Sequence, residues 1–470
     1  MDALDLFTEH YAQLVEADEK ERREQFKRAW NYYEGEAPKP LRLTPDGFDD
    51  NVRINYARLI VDKGVSFLVG KGPEFQIDAD TASTSRLEAD VEAIWKNSGG
   101  LIGKQRLAVN GGVSGHSFAR IVPSPDAGGL ARIVALDPQN LTLKWAQDDH
   151  EKITEYRITW TEWNEEDRRM IGRRQRIVPS ESGETWEVIE EKSPEVGNRW
   201  IEIRRETWGF PFPPIVHAQN LPAPNRVWGR ADLEADVLDL ISAIEFATSN
   251  VNRILRFHAH PLWYTDAEGG LETLNRAIGR IVRFPKGTTI DKLEMDSDLT
   301  APLSLIAELR QALHEITRIP EIAVGKVENV GALSGVALQI LYQPLLELTE
   351  TKRQTYGDLY TESTRRALIV SGRPNVEVGI TWPEMLPSDS ETLIADQTLG
   401  IVSKRTLAGK RGYDYDVEAA RIEDEKGDAP AATERALGGM LDALDAAPAN
   451  GDSAGAPMMP AAPPPPERTR

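Results

Sequence analysis

Residues 228–372 spell two amphipathic helices around a short strand-bearing insertion, followed by a glycine-punctuated loop and a third, longer helix. That order reads as a rod-and-loop device rather than an enzyme pocket. The first rod opens at Gly229-Arg230-Ala231-Asp232 and carries Leu233, Val237, Leu240, Ile241, Ile244, Val251, Ile254 and Leu255 at three- and four-residue spacing, the period of one buried helical face. Extended from Asp232 to His258, it is roughly 40 Å long at about 1.5 Å per residue. Asp232, Glu234, Asp236, Asp239 and Glu245 lie in its first half and Arg253 and Arg256 in its last turns, as the helix macrodipole favours. His260-Pro261 stops it.

Leu262-Trp263-Tyr264, Arg280-Ile281-Val282-Arg283-Phe284 and Ile290-Asp291-Lys292-Leu293 then read as short strands, punctuated by Gly269-Gly270 and Pro285-Lys286-Gly287. A second rod carries Leu303, Leu305, Ile306, Leu309, Leu313 and Ile316. It ends at Ile319-Pro320, because proline disfavours a helical residue before it. The segment from Gly325 to Gly335 is flexible by composition and leads into a helix from Val336. Within that helix Pro344 removes a backbone donor, so a kink is expected.

Upstream, residues 2–34 read as a helix with Leu6, Tyr11, Leu14, Val15, Phe26, Trp30 and Tyr33 on a buried stripe. Residues 55–69 form a second helix, ended by Gly70-Lys71-Gly72-Pro73, and 84–110 a third. Between Ser117 and Thr207 the pattern turns to strands, over 118–122, 131–136, 154–160, 185–189 and 200–203, with the alternation of sheets that have one solvated face. After Trp382-Pro383, helices are expected over 389–425. Beyond Gly427, alanine, proline and glycine dominate up to Pro463-Pro464-Pro465-Pro466. A short helix fits Glu434 to Leu444, but the rest buries too little apolar surface to offset its ordering entropy. No internal repeat is present.

Catalytic signals are missing. His258 and His260 with Glu245 or Glu315 do not make a metal-ligand pattern, so neither a metal nor another cofactor is expected. Gly111-Gly112-Val113-Ser114-Gly115 and the loop from Gly325 lack the Gly-Lys-Ser/Thr ending that cradles phosphates, so ATP hydrolysis is not expected. The chain has no cysteine, which excludes disulfides and thiolate metal sites, and no export signal or membrane span is apparent. Trp160, Trp163, Trp186, Trp200 and Trp208 read as core and edge packing rather than a base-stacking platform. Arg168-Arg169 and Arg173-Arg174-Gln175-Arg176 read as a solvated face or, more sharply, as a contact between subunits. The net charge of −20 argues against a nucleic-acid-coating surface. Taken alone it fits simple solubility.

Taken in order, the segment from Gly331 to Arg353, the entry Trp228-Gly229-Arg230-Ala231-Asp232-Leu233, the early Asn51-Val52-Arg53-Ile54-Asn55-Tyr56 with the helix after it, and Gly400-Ile401-Val402-Ser403-Lys404-Arg405-Thr406 resemble the portal proteins of tailed double-stranded DNA bacteriophages. The resemblance covers most of residues 1–427 and implies an α+β, portal-type subunit. Its parts would be a mixed wing at 1–228, stem helices at 229–260 and 301–324, and a small α+β clip at 261–300. A tunnel loop at 325–335, a long kinked helix and wing return at 336–383, a helical crown at 384–427 and a disordered tail at 428–470 complete it. Stem packing would rest on Leu233, Val237, Leu240, Ile241, Ile244, Leu305, Ile306 and Leu309. Lys326, Val327, Glu328, Asn329, Val330, Gly331, Ala332, Leu333 and Ser334 would face the DNA, with Lys326 and Glu328 nearly cancelling in charge. Trp263, Tyr264, Arg280, Arg283 and Lys286 would serve clip docking.

The resemblance further implies a non-enzymatic homo-oligomeric ring, typically of twelve subunits, at one capsid vertex. Its partners would be the terminase large subunit, head-completion or adaptor proteins, the major capsid and scaffolding proteins, and the duplex passing through, with no membrane. It would be made in the host cytoplasm and reside in the virion. Two other classes are another head-tail connector or assembly protein, which would lack the paired stem helices, and a nucleic-acid enzyme, which would need an acidic metal cluster or a phosphate-binding loop.

Overall fold

The computed structural model describes residues 3–385 except 45–46, 79–80, 127, 147, 150, 166–167, 194–198, 260–261, 266–289, 294–298 and 325–334, together with scattered positions from 403 to 422. Two compact units divide the chain, Met1–Leu386 and Pro387–Arg470. In the second, helical positions are described at Lys404, Arg405 and 417–419, so the expected crown lies mostly, and the 428–470 tail entirely, outside the described residues.

Helix α1 covers Ala3–Glu34 and α2 covers Tyr56–Val69. Asn55 joins them: its Oδ1 accepts the Arg58 amide at 2.8 Å as an N-cap, and its Nδ2 donates to the Tyr33 carbonyl at 2.9 Å. Where one helix was expected over 84–110, the structure has two, α3 at Thr81–Asn97 and α4 at Gly100–Ser114. Gly99 and Gly100 turn the chain between them with φ of 92° and 59°, a region that residues with a side chain rarely enter.

Three strands, β2 (His116–Val122), β3 (Arg132–Leu136) and β9 (Ile215–Gln219), form an antiparallel sheet in the order β3-β2-β9. A five-stranded antiparallel meander lies between β3 and β9 in the chain: β4 (Leu141–Trp145), β5 (Ile153–Asn164), β6 (Arg169–Pro179), β7 (Trp186–Ser193) and β8 (Ile201–Thr207). Its apolar face shares Leu141, Leu143, Tyr156, Ile158 and Ile177 with Phe118 of β2, forming a second core beside the main one.

The opposite face is ionic. Glu155 accepts from Arg176 Nε at 2.8 Å and Arg157 at 2.9 Å and pairs with Lys144 at 3.1 Å, while Glu191 pairs with Arg174. The basic run at 173–176 therefore lies on a central strand and has partners inside its own sheet. Trp160 and Trp163 lie beyond the end of the β4 pairing, on a stretch of β5 open on that side, and are exposed, the latter by 56%. Trp200 lies under the Arg174 guanidinium, 4.3 Å from its ring centre.

Helix α5 covers Ala235–Ala259, and α6 covers Thr300–Thr317. Between them β10 (Leu262–Thr265) pairs antiparallel with β11 (Ile290–Leu293), Trp263 standing opposite Lys292. The strand expected at 280–284 lies outside the described residues. Helix α7 runs Gly335–Val370 through Pro344. Its Tyr356, Tyr360, Ala367 and Leu368 are fully buried, which makes it the axis of the main core. Tyr360 Oη donates to the Lys104 carbonyl at 2.9 Å, and Trp95 Nε1 donates to Thr364 Oγ1 at 3.0 Å. Finally β12 (Glu377–Thr381) returns to pair with β1 (Glu74–Asp78), placing Phe75 opposite Ile380.

Candidate functional site

The rods singled out in the sequence are positioned by a buried polar lock at the entry to α5. Asp232 was expected to begin that helix, but α5 starts three residues later because Asp232 is committed elsewhere. Its amide donates to the Gly112 carbonyl at 2.8 Å, and both of its carboxylate oxygens lie 2.6 Å from Lys352 Nζ of α7. Asn220, just after β9, donates through Nδ2 to Asp232 Oδ1 at 3.0 Å and to the Arg230 carbonyl at 3.1 Å, and its Oδ1 accepts from Tyr356 Oη at 3.1 Å. Lys352 is 3% exposed, so this ion pair works in a low-dielectric setting, where removing one partner costs about 3–5 kcal/mol. Burial, with Tyr360 and Asp232 nearby, pushes the Tyr356 phenol well above its ordinary pKa and keeps it a donor.

The glycines of α4 make room for this lock. A Cβ at Gly111 would fall 1.8 Å from Tyr356 Oη, and one at Gly112 would fall 3.0 Å from Asp232 Oδ2 and from Val61. Gly111-Gly112 thus serves close helix packing.

Along α5, one stripe of polar residues holds the extended segment at 50–54. Glu245 accepts the Ile54 amide at 3.4 Å, Ser249 accepts the Val52 amide at 2.9 Å, and Asn252 donates to the Asp50 carbonyl at 3.0 Å. Arg253 and Arg256 converge on the Asp50 carboxylate at 2.9 and 2.6 Å. The Arg256 and Arg253 bonds hold Asp50 below its ordinary pKa against the cost of desolvation, whereas burial raises that of Glu245. Sequence reading missed this clamp. Its signal was the polar spacing Glu245, Ser249, Asn252, Arg253 and Arg256, which repeats at helical intervals like the apolar one.

Leu233, just before α5, and Val237, Ile241 and Ile244 on its apolar side are buried, Leu240 is half-buried, and Leu238 joins the core without having been singled out. Each fully buried side chain of this kind contributes about 1.5–3 kcal/mol. Helix α6 differs: Leu313 is buried, Ile306 and Leu309 are half-buried, and Leu305 is 50% exposed. Leu303, Ile316, Phe246 and Leu255 are also exposed, as are Ile340 and Leu341 near the start of α7.

The side chains of Trp263 and Tyr264, and Arg280, Arg283 and Lys286 altogether, lie outside the described residues. So do Lys326, Val327, Glu328, Asn329, Val330, Gly331, Ala332, Leu333 and Ser334. Among the described residues, no group of three or more His, Cys, Asp or Glu could hold a metal ion, and no helix is long and apolar enough to cross a membrane.

Similar solved structures include the virion of a native gene transfer agent (GTA) particle, 14% identical with a TM-score of 0.42 over 75% of this chain and 89% of that one. Another is the neck of the native GTA particle computed with C12 symmetry, 12% identical with a TM-score of 0.42 over 76% and 88%. No curated protein matches the chain. The model of the family "Phage portal protein, SPP1 Gp6-like" matches residues 12–430, nearly the whole of the main unit and part of the second, and the chain belongs to that family.

Proposed function

We propose that copies of this chain stand side by side around an axis as a closed ring of twelve, at one vertex of a capsid, and that DNA enters and leaves through the hole they enclose. The observation that carries this reading, beside family membership, is that large apolar side chains are left exposed on α5, α6 and the first turns of α7: Phe246, Leu255, Leu303, Leu305, Ile316 and Ile340. Large apolar side chains exposed on these helices favour a protein partner, and a neighbouring copy supplies the same helices at every step of a ring.

In this reading α5 and α6 are the stem, 261–300 is the clip where terminase docks during filling and head-completion proteins bind later, and 325–335 is the loop toward the DNA. The wing at 1–228 meets capsid and scaffolding proteins. The ring supplies a path and catalyses nothing; the energy of packaging comes from the terminase. Assembly takes place in the host cytoplasm and the finished ring resides in the virion. A net charge of −20 suits a conduit, because few phosphate contacts means little sticking.

Native mass measurement with end-on imaging tests the proposal. A ring near twelve times the 52.3 kDa chain mass is expected, and a monomer acting on a small substrate overturns it. Deleting residues 326–334 is expected to leave rings intact while impairing DNA filling or retention, and unchanged packaging overturns the role of the loop.

A further inference from the structure

A cleft of about 340 Å³ opens between the five-stranded sheet, β9 and α7, and no residue of α5, α6 or the polar lock lines it. Two of its walls are the rings of Tyr156 and Trp186, 6.0 Å apart and tilted by 53°, with Pro213 beside them. His217 also lines it, and its tautomer follows from a chain of bonds. The Gly229 amide donates to His116 Nδ1 at 3.4 Å, so the His116 proton sits on Nε2 and is donated to His217 Nδ1 at 2.9 Å, which leaves the His217 proton on Nε2. Tyr156 Oη, Trp186 Nε1 and His217 Nε2 have no hydrogen-bond partner among the described residues. The cleft therefore joins aromatic walls to three unused donors.

Two carboxylates line the same cleft, Glu151 and Asp358. Both are exposed, and neither has an ion pair among the described residues. Glu362, also in the lining, is already engaged by Arg365 and Arg366. Aromatic faces with donors and no unused cation call for a ligand rich in carbonyls, poor in N–H groups and flat enough to stack. A polyproline II strand is that ligand: it has no amide protons on its prolines, its carbonyls point outward, and its conformation is set before binding. The free carboxylates select an arginine beside the prolines. This chain carries such a sequence at residues 463–470, where Pro463, Pro464, Pro465 and Pro466 are followed by Glu467, Arg468, Thr469 and Arg470. Residues 423–470 lie outside the described ones, and a stretch of that length reaches on the order of 100 Å when extended, enough to meet another molecule.

We propose that this cleft binds the proline-rich segment at 463–470 of a second copy of the chain, with prolines against Tyr156 and Trp186 and arginine against Asp358 and Glu151. The proposal does not require a ring of any particular number.

The test uses the full chain with the photo-crosslinking residue p-benzoylphenylalanine at position 151, as a mixture of isotopically light and heavy copies. After irradiation, links between a light and a heavy copy that map to residues 459–470 are expected. Changing Pro463, Pro464, Pro465 and Pro466 together to Ala is expected to lower their yield at least fivefold. Asp358→Lys, on the exposed side of α7 where folding is not at stake, is expected to do the same. Links confined to single copies, links elsewhere only, no links, or an unchanged yield in either variant would overturn the proposal.

Discussion

Lys352 and Asp232, 120 residues apart in the chain, hold each other at 2.6 Å through both carboxylate oxygens, and neither side chain is more than 7% exposed. This contact fixes the entry of α5 to the middle of α7. Lys352→Met leaves the Asp232 charge buried without its counter-ion, so a loss of about 3–5 kcal/mol is expected in urea unfolding. Adding Asp232→Asn removes the stranded charge while an amide can keep the bond from Asn220, so the double variant should be more stable than the single one. A double variant as unstable as Lys352→Met would show that packing, and not charge, sets the cost.

The clamp on residues 50–54 predicts a local effect. Ser249→Ala takes away the acceptor of the Val52 amide, and with it about 1 kcal/mol of local protection. Hydrogen exchange should speed up about fivefold at Val52, while amides in the centre of α7 keep their native rates. Equal acceleration at both places would mean that the clamp is inseparable from global stability.

Acidity acts first through the buried histidine pair. Desolvation lowers the pKa of His217 to about 4 and holds that of His116 well below its ordinary value, with the neighbouring ring adding to the effect on His116. An unfolded histidine takes up its proton near pH 6.5, so between about 6.5 and 4 the unfolded chain binds more protons than the folded one. Stability is therefore highest above about 6.5 and falls as the pH drops through that window. His217 alone accounts for about 2 kcal/mol between pH 7 and pH 5. Glu155, held at about 2 chiefly by Arg176 and Arg157 against its desolvation, contributes in the same sense at lower pH: its stabilisation is present above about 4.5 and is lost as the pH falls from there towards 2. Urea unfolding at pH 7 and pH 5 checks the histidine contribution, and His217→Asn, which keeps an acceptor but cannot be protonated, should flatten the difference by about that amount.

What could be read beforehand followed from local chemistry. The cap at Asn55 and the stop at Gly70 delimit α2 within the chain itself, and the spacing of Leu233, Val237, Ile241 and Ile244 marks the buried face of α5. Strand β6 was missed because its arginines look solvated until Glu155 and Glu191 of the flanking strands are placed beside them. The break between α3 and α4 was missed because a glycine pair in an otherwise helical pattern does not announce positive φ. The lock was illegible for a different reason: nothing near Asp232 indicates that its partner is Lys352. The proposed channel and docking roles came from resemblance alone, since they depend on contacts between molecules, which the periodicity of one chain does not encode.

The two rods make a contrast that separates folding from assembly. Ile244 is fully buried and Leu240 half-buried on α5, whereas Leu305 and Ile316 on α6 are each 50% exposed. Leu240→Asp with Ile244→Asp places charges in the core of the subunit, so loss of soluble folded protein by more than about 4 kcal/mol is expected, and with it any ring. Leu305→Asp with Ile316→Asp places charges where water already reaches, so the subunit itself should stay within about 1 kcal/mol of the native stability. If these residues meet a neighbouring copy, that surface variant will nevertheless fail to form rings, because a carboxylate facing apolar groups across an interface loses its water without gaining a partner. Circular dichroism melting and native mass measurement on the same preparation distinguish the cases. A folded, monomeric Leu305→Asp/Ile316→Asp protein supports assembly through α6, while normal rings from that variant would place the subunit interface elsewhere.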